Sequence, residues 1–162
     1  QHPEKIKTLT LMGGASAIPM NPELLRLAEE SNPKAVDLMM DFAHGPAGHF
    51  GGHPVPGLYH LNVGSMLVQN KEIKDTLGVD FRACDNYKRG PEIAKKLDLP
   101  TISILGAQDR MCRLKDGKEL ASMIKGSEVH IIENCGHMML LEEADQTLEI
   151  LKKFILEKDP IN

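Results

Sequence analysis

The sequence predicts an α/β fold in which parallel strands alternate with crossover helices. Three observations predict it: short apolar runs rich in β-branched residues stop at glycines, longer amphipathic segments follow them, and the two kinds alternate regularly from residue 99 onward. This order favours a parallel sheet, because a helix is the usual connection between parallel strands. Residues 19–96 interrupt the pattern with a mainly helical stretch.

The first strand is predicted at residues 6–12 (IKTLTLM), where β-branched and apolar residues lead up to Gly13 and Gly14. Small residues at the end of a strand allow other groups to approach the backbone closely. A helix should begin at residues 21–23 (NPE), because Asn is a good cap, Pro suits the first turn and Glu suits the positive helix end. Residues 32–33 (NP) repeat that start signal.

The middle of the chain has a different composition. Residues 44–57 contain five Gly, three Pro and three His, which predicts a loop. Helical segments are predicted at residues 58–69, within residues 71–87, and from Gly90. The predicted parts of the chain are an α/β core at residues 1–18, a helical insertion at 19–96, and further core at 97–162.

The last part of the chain is regular. A buried strand is predicted at residues 101–105 and stops at Gly106, and a helix follows at residues 115–124. The next strand is predicted at residues 128–132, and a long amphipathic helix at residues 142–157. These are two strand-helix units of a parallel sheet.

Composition excludes several classes of protein. The 162 residues are 41% hydrophobic and 26% charged, as in an ordinary globular domain. Lys and Arg number 19 against 23 Asp and Glu, and they are not bunched, so neither a nucleic acid nor a membrane surface is a predicted partner. No apolar run reaches the roughly 18 residues of a transmembrane helix. The three cysteines are too widely spaced for a zinc or redox motif, which favours free thiols and a cytoplasmic location.

Two polar residues follow predicted strands at the end where functional groups gather in α/β sheets. Asp109 comes shortly after Gly106, and His137 comes shortly after the strand at residues 128–132. A carboxylate and an imidazole from neighbouring loops can act as a general base and its orienting partner. The alternatives are that Asp109 only makes turn hydrogen bonds and that His137 only caps the last helix.

The same two segments resemble a known family. Residues 100–109 (PTISILGAQD) resemble the strand and turn that deliver the triad acid of α/β-hydrolases, and residues 135–142 (CGHMMLLE) resemble the loop that delivers their triad histidine. Their order fits the family. The resemblance implies a partial α/β-hydrolase fold, its carboxyl-terminal part, with residues 19–96 as a helical cap. It also implies that Asp109 is the triad acid and His137 the triad base.

The family's nucleophile motif, Gly-x-Ser-x-Gly, does not occur in these 162 residues. Ser16, Ser65 and Ser103 are poor substitutes, since none lies where the family places its nucleophile. We therefore expect the nucleophile and the oxyanion hole to lie outside this sequence, in the amino-terminal half of a longer hydrolase. The chain alone should be inactive.

Residues 5–15 resemble the strand that follows the nucleophile elbow in the family, where it pairs with a strand preceding the nucleophile helix. Without that partner the strand from Ile6 to Met12 has an exposed apolar edge, and such edges pair or aggregate. We expect this edge to bind the missing amino-terminal half or a second copy of the chain.

The resemblance implies a hydrolase that acts on an ester or related acyl bond of a small-molecule, ester-like substrate, without a cofactor. Two alternatives stay open. One is a member with an Asp nucleophile, of the dehalogenase or epoxide hydrolase type. The other is a non-catalytic, hydrolase-like module kept for binding or assembly.

Other side chains near the two candidates have less specific patterns. Met111 and Met138 follow the acid turn and the histidine, and we predict that they line an apolar substrate pocket. Cys135 could supply a nucleophilic thiol, but the family places its nucleophile elsewhere. Four histidines cluster in the predicted cap without the spacing or cysteine partner of a zinc site, so no metal is predicted; they are His44, His49, His53 and His60.

Overall fold

A computed structural model describes residues 5–46 and 75–159 of the chain. Strands and helices alternate as the sequence predicts. In chain order they are β1 (Leu9–Met12), α1 (Pro22–Glu29), α2 (Lys34–Ala43), α3 (Thr76–Asn86), α4 (Gly90–Ala94), β2 (Thr101–Gly106), α5 (Leu114–Met123), β3 (Glu128–Ile132), α6 (Met139–Glu142) and α7 (Ala144–Lys158).

The three strands form one parallel sheet in the order β1-β2-β3. The predicted α/β class with parallel strands is therefore confirmed. β2 lies in the centre, and all six of its residues are buried. The register pairs Met12 with Ile104 and Gly106 with Ile132, so the three carboxyl ends lie at one edge of the sheet. That edge is where the loops with Asp109 and His137 begin.

The sheet is covered by helices on both faces, because side chains alternate along a strand. Ile102 and Ile104 pack with Ile132, Met139 and Phe154, which places α7 over one face. Leu11 packs on the opposite side with Leu120 and Ile124 of the α5 region. Gly117 of α5 lies so close to Leu105 that a Cβ atom there would approach its Cδ2 to 2.5 Å. The sheet is thus held rigidly between two layers.

Helices α1, α2 and α3 have a core of their own, in which Leu24, Leu27 and Phe81 are buried together. The predicted cap of α1 is present: Asn21 Oδ1 accepts hydrogen bonds from Glu23 N at 2.9 Å and Leu24 N at 3.1 Å. The division of the chain at residues 18 and 96 stays a prediction.

Two predicted elements have different bounds in the structure. β1 begins at Leu9 rather than Ile6, because its neighbour in register before Thr101 is Pro100, which has no N–H for the ladder. The predicted helix at residues 142–157 is divided between α6 and α7, because Glu143 has φ −138° and ψ 56°. The helix predicted at residues 58–69 and most of the loop predicted at 44–57 lie outside the described residues.

None of the helices in residues 5–46 and 75–159 has the length and apolar character that a membrane crossing requires.

Candidate active site

Asp109 and His137 meet at the carboxyl edge of the sheet. Asp109 lies in the turn after β2, and His137 lies in the loop between β3 and α6. His137 Nδ1 is 2.9 Å from Asp109 Oδ2, a hydrogen-bond distance. The side chain of Asp109 is 1% exposed and that of His137 is 28% exposed. The carboxylate is therefore buried behind an imidazole that is open on its other side.

The two oxygens of Asp109 have different partners. Oδ1 accepts hydrogen bonds from the backbone N–H groups of Met111 and Cys112, both at 2.8 Å. Oδ2 faces His137. Asp109 therefore makes the local turn hydrogen bonds that we considered as its alternative role, and it still has one oxygen for the imidazole. The turn fixes the carboxylate, and the carboxylate then orients the ring.

Gly13, at the end of β1, lies directly against this pair. Its φ is +56°, and a Cβ atom there would come within 2.8 Å of His137 Nδ1 and 3.3 Å of Asp109 Oδ2. The close approach expected of small residues after the first strand is thus made to the imidazole itself. Its left-handed backbone was not predicted, because a glycine pair does not reveal which member has a positive φ.

Replacing Gly13 by alanine in the complete protein should lower kcat by about 10- to 100-fold, because a shift of about 1 Å at the reacting groups has effects of that size. Steady-state kinetics would measure it. Gly14→Ala adds a Cβ only 3.5 Å from Leu120 Cδ2, and Gly126→Ala adds one at φ +73° with no neighbour within 4 Å. These two variants control for the added methyl group and for backbone strain. A Gly13 variant that behaves like both controls would contradict the prediction.

A cavity of about 540 Å³ opens beside His137, which lies within the size range of small-ligand sites. Met111 is among the residues that line this cavity, and Met138 is not; their role in a substrate pocket stays a prediction. Met138 instead donates its backbone N–H to Ala43 O at 3.2 Å. Most lining side chains are apolar, and the apolar ones within residues 19–96 are Pro19, Met20, Leu24, Phe42, Phe81 and Cys84. The helical part therefore forms much of the wall above the Asp109–His137 pair.

Arg110 connects the acid turn to α2. Its guanidinium lies 5.0 Å from the centre of the Phe42 ring, and its Nη1 donates to Asp41 O at 3.3 Å. Both contacts hold the helical wall of the cavity against the turn that carries Asp109.

Known proteins resemble this chain over nearly its whole length. An Escherichia coli 2-hydroxy-6-oxononadienedioate/2-hydroxy-6-oxononatrienedioate hydrolase is 26% identical over 94% of the chain. A thermophilic esterase matches 98% of the chain with a TM-score of 0.78 and 26% identity, and the enol-lactonase of Burkholderia xenovorans LB400 matches 96% with a TM-score of 0.77 and 21% identity. The chain has the fold of the carboxyl-terminal part of an α/β-hydrolase.

The chain matches only part of the length of each of these proteins. The chain spans about half the length of the curated relatives it matches, 55% for the Escherichia coli hydrolase. It covers 59% of the thermophilic esterase and 58% of the enol-lactonase. No protein-family model matches the chain.

The alternative nucleophiles within this chain are poorly placed. Ser103 is 1% exposed inside β2, and Ser65 lies outside the described residues. Ser16 follows β1, where its carbonyl oxygen packs against Gly90. Cys135 is fully buried, and burial raises the pKa of its thiol to about 12. A buried neutral thiol is a weak nucleophile, which argues against Cys135 in that role.

The three cysteines should differ in reactivity. Burial also raises the pKa of Cys112 to about 12, whereas Cys84 is exposed. At pH 8 a thiol with that pKa is ionised in about one molecule in 10⁴. Iodoacetamide should therefore modify Cys84 first, and the other two should react at native pH only after unfolding. Peptide mapping by mass spectrometry would measure this order, and labelling of Cys135 as fast as that of Cys84 would contradict it.

Of the four histidines of the predicted cap, only His44 lies among the described residues. His44 is 1% exposed, and its Nδ1 is 3.3 Å from Met40 O. His44 is buried because the end of α2 packs against the His137 loop. His49, His53 and His60 lie outside the described residues. Residues 5–46 and 75–159 contain no group of three or more potential ligands placed to hold a metal ion.

Proposed function

We propose that the complete protein is a hydrolase that cleaves an ester or related acyl bond of a small molecule through a nucleophile-His-Asp triad. The observation that carries this proposal is the pair formed by His137 and the buried Asp109, 2.9 Å apart at the wall of a small-ligand cavity. His137 Nε2 has no hydrogen-bond partner among the described residues and is the nitrogen left to accept a proton.

In this proposal His137 Nε2 takes the proton of a nucleophile as that group attacks the substrate carbonyl. It then gives the proton to the leaving group as the acyl bond breaks. In the second half His137 takes a proton from water as the water attacks the acyl-enzyme, and it returns that proton to the nucleophile as the bond to the acyl group breaks and the acid is released. Asp109 Oδ2 accepts the Nδ1–H throughout and stabilises the imidazolium.

The nucleophile, which we propose is a serine, would come from a segment outside this sequence. The matched proteins include an esterase, an enol-lactonase and a 2-hydroxy-6-oxononadienedioate/2-hydroxy-6-oxononatrienedioate hydrolase. Their common element is hydrolysis next to a carbonyl group, which supports an acyl substrate for this protein. No cofactor is needed for such a triad, and we propose residues 19–96 as the cap that shapes the substrate site.

The edge of β1 is the proposed attachment point for that further segment. Within the described residues β1 and β3 form the two edges of the sheet, and β1 pairs only with β2. Ile6 is 54% exposed and Met12 36% exposed beside it. A strand from the amino-terminal half, or from a second copy of the chain, would pair with this edge.

The test uses the complete protein in excess over substrate in ¹⁸O-labelled water, with an activated ester, an alkyl halide and an epoxide as probes. A serine nucleophile should hydrolyse the ester, form a transient acyl adduct visible by intact mass, and place ¹⁸O in the acid product. An Asp nucleophile would consume the halide or epoxide and place ¹⁸O in its own carboxylate. Absence of turnover and adduct with all three probes would contradict the proposal and favour the non-catalytic module.

A further inference from the structure

The carboxylate of Glu142, at the end of α6, holds the backbone of the His137 loop. Its Oε2 accepts hydrogen bonds from Gly45 N at 2.8 Å and from Gly136 N at 3.1 Å. Its Oε1 accepts one from Met138 N at 3.1 Å. One carboxylate thus binds the residues immediately before and after His137, together with a residue just beyond α2.

No cation competes for this carboxylate among the described residues, which contain no ion pair to Glu142. Its charge is therefore directed at three backbone N–H dipoles, and hydrogen bonds to an ionised acceptor are roughly twice as strong as neutral ones. Among the described residues, the hydrogen bonds of Glu142 go to backbone N–H groups of the His137 loop and of Gly45, and none goes to the ring of His137. Its influence on the imidazole therefore acts through the loop backbone.

The end of α2 completes the attachment. His137 N donates to Ala43 O at 2.7 Å. Gly45 and Gly136 are in direct backbone contact, since a Cβ atom on Gly136 would lie 2.4 Å from Gly45 N. The loop and the end of α2 therefore share two acceptors, the Ala43 carbonyl and the Glu142 carboxylate.

We propose that Glu142 is a positioning residue, which sets His137 against Asp109 and couples the position of the imidazole to the end of α2. The catalytic part of this inference rests on the proposed function. The imidazole is confined between Asp109 Oδ2 and Gly13, so its backbone has little room to move without breaking the 2.9 Å hydrogen bond. Glu142 acts only through that backbone and does not touch the cavity.

The experiment compares Glu142→Ala and Glu142→Gln with Glu143→Ala and Glu143→Gln in the complete protein. Glu143 is the adjacent residue of the same charge, and its side chain makes no hydrogen bond or ion pair to any residue in 5–46 or 75–159. Ala removes both acceptors at position 142. Gln keeps one acceptor oxygen and turns an NH₂ group toward the N–H groups that the other carboxylate oxygen accepted. Glu142→Gln should therefore lose less activity than Glu142→Ala.

Two readouts are measured well below the unfolding temperature: kcat and KM, and the ¹H–¹⁵N resonance of the His137 Nδ1–H. We expect kcat to fall about 100-fold in Glu142→Ala and about tenfold in Glu142→Gln, the size expected for misplaced reacting groups, with KM changed less than threefold. The Nδ1–H resonance should be lost or broadened in Glu142→Ala. Both Glu143 variants should match the unmodified protein.

Gly45→Ala tests the coupling to α2 without changing any charge. Its Cβ would lie 2.9 Å from Gln108 Oε1, 3.0 Å from Glu142 Oε2 and 3.1 Å from Gly136 N. The Gln108 side chain can move aside, whereas the Gly136 backbone cannot, so the substitution should separate the end of α2 from the His137 loop and lower kcat by at least tenfold. It also keeps the inference testable if Glu142→Ala fails to fold.

The inference is overturned if the folded Glu142 variants keep kcat within twofold and retain the Nδ1–H resonance, whatever their loss of thermal stability. It is also overturned if the Glu143 variants lower kcat equally, since the effect would then be one of charge. If the unmodified protein has no hydrolase activity, the proposed function fails, and the resonance alone decides whether Glu142 positions His137.

Discussion

His137→Ala in the complete protein should lower kcat by about 10⁴- to 10⁶-fold, the range seen when the base of a catalytic triad is removed. The variant leaves the nucleophile without a proton acceptor, and no other titratable group in the described part of the chain is hydrogen-bonded to Asp109. Since the imidazole lines the cavity and is 28% exposed, the substitution should cost little stability. Initial rates with an activated ester would measure the loss.

His130→Ala is the matched control, because His130 lies in β3, on the strand that leads to the His137 loop, and does not line the cavity. Added imidazole should restore part of the activity of His137→Ala, because the missing ring leaves a space beside Asp109 that opens into the cavity. Activity of His137→Ala within threefold of the unmodified protein would remove His137 from the mechanism. An equal loss in His130→Ala would point to damage to the fold instead.

The positions of Asp109 and His137 could be predicted because two simple rules apply to them. Buried strands are recognisable as β-branched runs that stop at a glycine, and β2 and β3 lie within one residue of the predicted bounds. Parallel strands carry their loops at one edge, so residues shortly after each strand must lie close together. The sequence therefore places the two side chains near each other, although it cannot show the orientation of either.

The surroundings of the pair could not be predicted, because they depend on contacts between distant segments. Glu142 looks like an ordinary charged residue at the start of an amphipathic helix, and its partner Gly45 is 97 residues away. The helix break at Glu143 is equally invisible in a periodic pattern. Met138 has the apolar character and the sequence position of a pocket residue, but it is not among the residues that line the cavity.

Asp109→Asn should lower kcat by about 10⁴-fold while leaving the fold intact, as the equivalent change does in a serine protease triad. The turn determines how the Asn side chain lies. Its carbonyl oxygen must accept the N–H groups of Met111 and Cys112, because an NH₂ group facing them would leave two donors unpaired. The NH₂ group then faces His137 Nδ1 and forces the proton onto Nε2, so the ring can no longer act as a base.

Two comparisons separate this tautomer effect from a loss of structure. Asp98→Asn removes the same charge from an exposed position before the other end of β2, and it should leave kcat and the melting temperature unchanged. Asp109→Ala should lose activity as Asp109→Asn does, but it should also be less stable by about 1–3 kcal/mol for each buried N–H left without an acceptor. Thermal unfolding and initial rates measured on the same samples would test both statements. An Asp109→Asn variant with nearly full activity would show that the Asp109 carboxylate serves the turn alone. The Asn carbonyl oxygen would still accept both backbone N–H groups, whereas an NH₂ group would have replaced the oxygen that faces His137 Nδ1.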